Sequence, residues 1–92
     1  MSGVGNLVRK LAQGSAMKIG NGQLTIGDPV PGGFVVTWAD HEAPEKITTL
    51  RVGNTLHLLG GTARATAVQS SKAWIRLRIV AAREIPVSVI EH

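Results

Sequence analysis

The sequence predicts a mainly β domain, a small barrel or sandwich of short antiparallel strands with a short N-terminal α-helix in front. Three observations carry that prediction. Apolar and polar residues alternate in brief runs; Gly, Pro and Ser break the chain between them; and the apolar stock is Val, Ile, Leu and Ala, with Phe34, Trp38 and Trp74 the sole aromatics. Alternation with period two is the signature of a strand with one buried face. A chain of 92 residues holds one core. Residues 1–16 read as an arm bearing the helix and residues 17–92 as a single barrel-like domain.

In the arm, Val4, Leu7, Val8, Leu11 and Ala12 recur at spacings of three and four, which predicts two turns of helix capped by Asn6 and ended by Gly14. So short a helix must dock its stripe of Leu7, Val8 and Leu11 to persist. Asn21-Gly22 then predicts a hairpin tip between Met17–Ile19 and Gln23–Ile26. After the breakers Pro29, Pro31, Gly32 and Gly33, the run Phe34 to Trp38 predicts a strand with Phe34, Val36 and Trp38 on one face. An acidic loop follows from Ala39 to Glu45. Further short strands are expected over Ile47–Arg51, Thr55–Leu59, Thr62–Val68, Ala73–Val80 and Ile85–Ile90, with corners at Gly53-Asn54 and Gly60-Gly61. No internal repeat is visible.

Register sharpens one hairpin. A two-residue loop at Ser70-Ser71 would set Arg64 against Leu77 and mix the faces. A three-residue loop sets Arg64 against Arg78, Thr66 against Arg76 and Val68 against Trp74, which separates a core face of Ala63, Ala65, Ala67, Ile75, Leu77 and Ile79 from a basic one. Arg64, Lys72, Trp74, Arg76 and Arg78 then form a contact face for phosphates or an acidic protein surface, with Trp74 free to stack on a base. A solvated sheet face accounts for the same residues without a partner.

Charge divides the chain. Residues 1–45 carry a net −1 and residues 46–92 a net +5, which favours an anionic neighbour at low salt. Cysteine is absent, so disulfides, thiolate metal sites and cysteine nucleophiles are excluded. Asp40, His41, Glu42 and Glu45 are metal-capable, but consecutive side chains diverge and no second cluster completes a site. Ser15 lies outside any nucleophile elbow, and Gly20-Asn21-Gly22 lacks the third glycine and the helix of a phosphate cradle. The expectation is a protein that is not an enzyme, with no cofactor, metal or small-molecule substrate. No apolar run reaches the length of a membrane span, and the N-terminus lacks a signal-peptide pattern, so a cytoplasmic origin is expected.

Leu50-Arg51-Val52-Gly53-Asn54-Thr55-Leu56-His57-Leu58, followed by Gly60, resembles the lambda-type phage head-tail joining proteins, with Asn54 where that family usually has Asp. The resemblance implies a homo-oligomeric ring in the virion neck, made in the host cytoplasm, stacked between portal or adaptor and tail proteins, with DNA in its lumen. A thin core and a dockable terminal segment suit a subunit completed by its neighbours. The same corner, with Ile75-Arg76-Leu77 and Arg83-Glu84-Ile85-Pro86-Val87, is also similar to the carbon storage regulator family of dimeric mRNA-binding proteins. That family places RNA-contacting arginines where Leu50 and Val89 stand here, and the resemblance leaves the first 45 residues unexplained.

Overall fold

The computed structural model describes residues 4–41 and 44–90, without the side chain of Val4. Glu42 of the acidic loop, Glu91 and His92 lie outside the described residues. Among the described residues, nine strands form two antiparallel sheets: β1 (Val4–Ala12), β2 (Ala16–Ile19), β3 (Gly22–Val30), β4 (Gly33–Ala39), β5 (Lys46–Arg51), β6 (Thr55–Leu58), β7 (Ala63–Ser70), β8 (Trp74–Ala82) and β9 (Val87–Ile90). A 3-10 turn at Leu59–Gly61 joins β6 to β7. The sheet orders are β1-β8-β7-β6 and β5-β4-β3-β2-β9, and among the described residues they close no barrel.

The predicted N-terminal helix is a strand. Leu7 and Leu11 are four residues apart, a spacing that suits one face of a helix and equally one face of a strand. Local propensity therefore leaves the choice to tertiary context. Here the whole of β1 ladders onto β8, from Val4↔Ala82 to Ala12↔Trp74. Leu11 is buried in the core and Leu7 packs against it, whereas Val8 points outward at 42% exposure. The arm is thus an edge strand of the domain from Val4 onward, and the docking trio divides between two faces.

The expected core face is present. Ala63, Ala65, Ala67, Ile75, Leu77 and Ile79 of one sheet close on Met17, Ile19, Leu24, Ile26, Phe34, Val36 and Trp38 of the other. Two turns move from their predicted places. The β2–β3 tip is Gly20-Asn21, since Ile19 pairs with Gly22, and Gly20 takes the positive φ of 61°. The β7–β8 hairpin turns at Lys72-Ala73, closed by the Ser71 N–H donating to Trp74 O at 2.8 Å. A bulge after Ala67 shifts the ladder, so Arg64 opposes Val80 and Thr66 opposes Arg78. The faces stay as predicted because the bulge precedes only the final pairs; the arginines avoid direct opposition, which like charges disfavour.

The pairing pattern contains an internal repeat that identity does not display. Strands β1 to β4 and β5 to β8 are twins, and each half gives its first strand to the other half's sheet: β1 lies on β8, and β5 lies on β4. The twin ladders carry the same register shift, after Ile26 in β3 and after Ala67 in β7. Their corners make matching bonds. Gly14 N–H donates to Ile26 O at 2.9 Å and Gly53 N–H to Ala67 O at 2.8 Å; the reciprocal Ile26 N–H to Ser15 O is 2.9 Å and Ala67 N–H to Asn54 O is 3.1 Å. Gly14 and Gly53 hold φ of 88° and 93°. Each corner therefore stitches one sheet to the other at the same point in its half.

Because a Cβ at either glycine would meet nothing within 4 Å, substitution costs backbone strain alone. Gly14→Ala and Gly53→Ala are each expected to lower stability by about 1–2 kcal/mol, with the two values nearly equal. Urea unfolding of both variants checks this; a corner that tolerates alanine would mark the twins as unequal.

Candidate functional site

The outer face of the β1-β8-β7-β6 sheet gathers the basic side chains. Along β8, Trp74, Arg76 and Arg78 point away from the core, alternating with buried Ile75, Leu77 and Ile79. Arg64 shares this face on β7, and His57 opposes it on β6. The strand β1 adds Lys10 opposite Arg76 and Val8 opposite Arg78. Reading β1 as a helix hid Lys10 from the sequence-based face, and because Leu7-Val8-Arg9-Lys10-Leu11 does not alternate, its place there follows from the β1–β8 ladder. Lys72 sits at the hairpin tip beside this face, exposed.

Trp74 holds its neighbours rather than offering a bare ring. Lys10 Nζ lies 4.7 Å and the Arg76 guanidinium carbon 5.6 Å from the ring centroid, within cation–π range. Arg76 also donates from Nη1 to Gln69 Oε1 at 2.9 Å, a contact that the bulge makes by pairing Gln69 with Arg76. Arg64 and Arg78 are exposed, and their side chains have no hydrogen bond or ion pair with another described residue. The strands of this face carry no acidic residue. Two cations thus sit beside the Trp74 ring that the sequence reading leaves free to stack on a base.

The remaining sequence-selected positions fall elsewhere. Gly53 and Asn54 form the inter-sheet corner, where Asn54 Oδ1 accepts from the Arg51 N–H at 3.1 Å. Gly60 and Gly61 lie in the 3-10 turn with φ of 65° and 94°. Asp40 accepts from Trp38 Nε1 at 3.0 Å, and among the described residues no three His, Cys, Asp or Glu side chains gather as a metal site. An open cleft of about 610 Å³ lies between the twin hairpin tips, Pro29–Gly32 and Ser70–Lys72. A second, of about 620 Å³, runs beside β6, lined by Trp38, Pro44, Ile47, His57 and Leu59 among others.

Set against protein-family models, curated proteins and solved structures, the chain matches none of them.

Proposed function

We propose that the protein is a non-enzymatic nucleic-acid-binding module related in design to the carbon storage regulators, with one chain supplying both halves of a two-fold scaffold. One observation carries this reading: two like halves exchange their first strands and close matching glycine corners on each other's sheets. The corner Arg51 to Leu56 that bears the resemblance recurs in shape as Ala12 to Met17, so the repeat also accounts for the first 45 residues. Where the family implies a dimer, this chain carries its partner within itself. The thin core that asks for a neighbour receives one from the other half.

The family's RNA-contacting arginines are absent. Leu50 is buried at 2% exposure and Val89 packs against the core, so anion contact rests on the basic sheet face instead. The expected result is a single-chain species by light scattering that retards single-stranded RNA at low salt and releases it as salt rises. A protein that leaves RNA unshifted at every salt concentration would overturn the reading.

A ring-forming neck subunit of a tailed phage is the second reading. It is favoured by the unpaired outer edge of β6 beside its open cleft and by exposed Ile47 and Val52, at 67% and 50%, since open edges and exposed apolar residues seek neighbours. On that reading its place is the virion neck, between portal or adaptor and tail proteins. Light scattering at the mass of a closed ring, in place of a single chain, would favour it over the first.

A further inference from the structure

We infer that the scaffold, although two-fold in its pairing, carries one nucleic-acid site and not two: a single-stranded phosphodiester backbone lies across the outer face of β1, β8 and β7, held by Lys10, Arg64, Arg76 and Arg78. This deepens the nucleic-acid reading and rests on it.

The twin sheet supplies an internal control. Each cation has a counterpart at the same place in the other half, fixed by the ladders and their register shifts. Lys10 corresponds to Thr49, Arg64 to Gln23, Arg76 to Val35 and Arg78 to Thr37. All four counterparts are neutral. Gln69, which orients Arg76, corresponds to Asp28, whose carboxylate accepts from Gln13 Nε2 at 2.9 Å. Positions that build the fold behave differently: Leu11 and Leu50, Ile19 and Leu58, Val36 and Leu77 remain apolar and buried in both halves. A strand that folds with Val35 and Thr37 does not need Arg76 and Arg78 to fold. The four charges on one face are therefore surplus to the scaffold and matched to a ligand.

The ligand's chemistry follows from what the face presents. Guanidinium groups fork onto phosphate oxygens, and Arg64 and Arg78 are uncommitted among the described residues. The Trp74 ring is flanked by Lys10 and Arg76, so the face offers charge rather than stacking surface and would read backbone more than sequence. A face of three strands accommodates one extended strand of nucleic acid. An acidic protein would meet the same charge, but the face opposes it with mostly saturated ladders and no free sheet edge at its centre.

The test uses a fluorescently labelled single-stranded RNA of mixed sequence, with stoichiometry from native mass spectrometry and affinity by anisotropy across salt concentrations. One strand per chain is expected, with a slope of log K on log salt of about −3, from roughly −0.7 for each of four phosphate contacts. Arg76→Gln and Arg78→Gln should each weaken binding several-fold and make the slope shallower by about 0.7. Lys18→Gln and Arg51→Gln, on the twin sheet, should leave both unchanged, and unfolding midpoints check that every variant is folded. Two strands per chain, or binding indifferent to Arg76 and Arg78 but lost with Lys18 or Arg51, would overturn this inference and leave the nucleic-acid reading standing. Binding to polyglutamate with none to RNA would overturn both.

Discussion

Gly33→Ala is expected to cost about 3 kcal/mol or more, enough to threaten folding in a domain of this size. Gly33 pairs with Arg51 where β4 meets β5. A Cβ there would sit 2.0 Å from Leu50 O and 2.7 Å from Arg51 Cα. Both obstacles are backbone, so no side chain can swing away, and relief requires β5 to move off β4. That strand is the one that the second half lends to the first half's sheet, and Leu50 beside the clash is core. Displacing it therefore loosens the exchange between halves as well as one ladder. The neighbouring Val52 N–H, which donates to Gly32 O at 3.0 Å, would be pulled out of place too. Urea unfolding and the amide-exchange protection of β5 measure the effect. A fold that accepts alanine with less than about 1 kcal/mol lost would show that β5 is held loosely.

The same strand exchange explains what sequence could and could not disclose. Alternation identified Phe34, Val36 and Trp38, and the core face of β7 and β8, because a period of two survives a shift in register. The register itself was illegible: a bulge after Ala67 inserts a residue that leaves no mark on the hydrophobic pattern. The helix misreading at Leu7 and Leu11 came from a spacing common to both periodicities, resolved only by the free edge of β8, which lies some seventy residues away in the chain. The repeat escaped notice because the nine residues from Leu11 to Ile19 share only Leu and Gly with Leu50 to Leu58. What recurs is a role at each position, an apolar residue, a turning glycine and alternating strand residues, and roles become visible once hydrogen bonds align them. Of the candidate site, Arg64, Trp74, Arg76 and Arg78 were legible from alternation alone, whereas Lys10 needed β1 in place.

The twins also differ in how they fill equal space, and this leads to the second large effect. Gly22 and Trp38 in the first half correspond to Ala63 and Ile79 in the second, all four buried. A Cβ on Gly22 would lie 2.4 Å from two ring carbons of Trp38 and 3.0 Å from Ala39 O. The large ring and the missing methyl are thus one solution to a packing problem, and a smaller aliphatic with a methyl is the other. Gly22→Ala alone is expected to cost about 2–3 kcal/mol by overpacking, since the ring is anchored by its bond to Asp40 and cannot retreat. Trp38→Ile alone should cost about as much through the cavity it leaves and the lost Asp40 contact. The double variant reproduces the pair found in the twin sheet, where the added methyl takes up part of the vacated volume. Its loss should fall short of the sum of the single losses by about 1–3 kcal/mol, the size of coupling seen for residues in contact. Urea midpoints for the four proteins close the cycle. Strict additivity would mean that the two halves, though paired alike, do not share a packing plan, and the internal comparison that singles out the four cations would lose its footing with it.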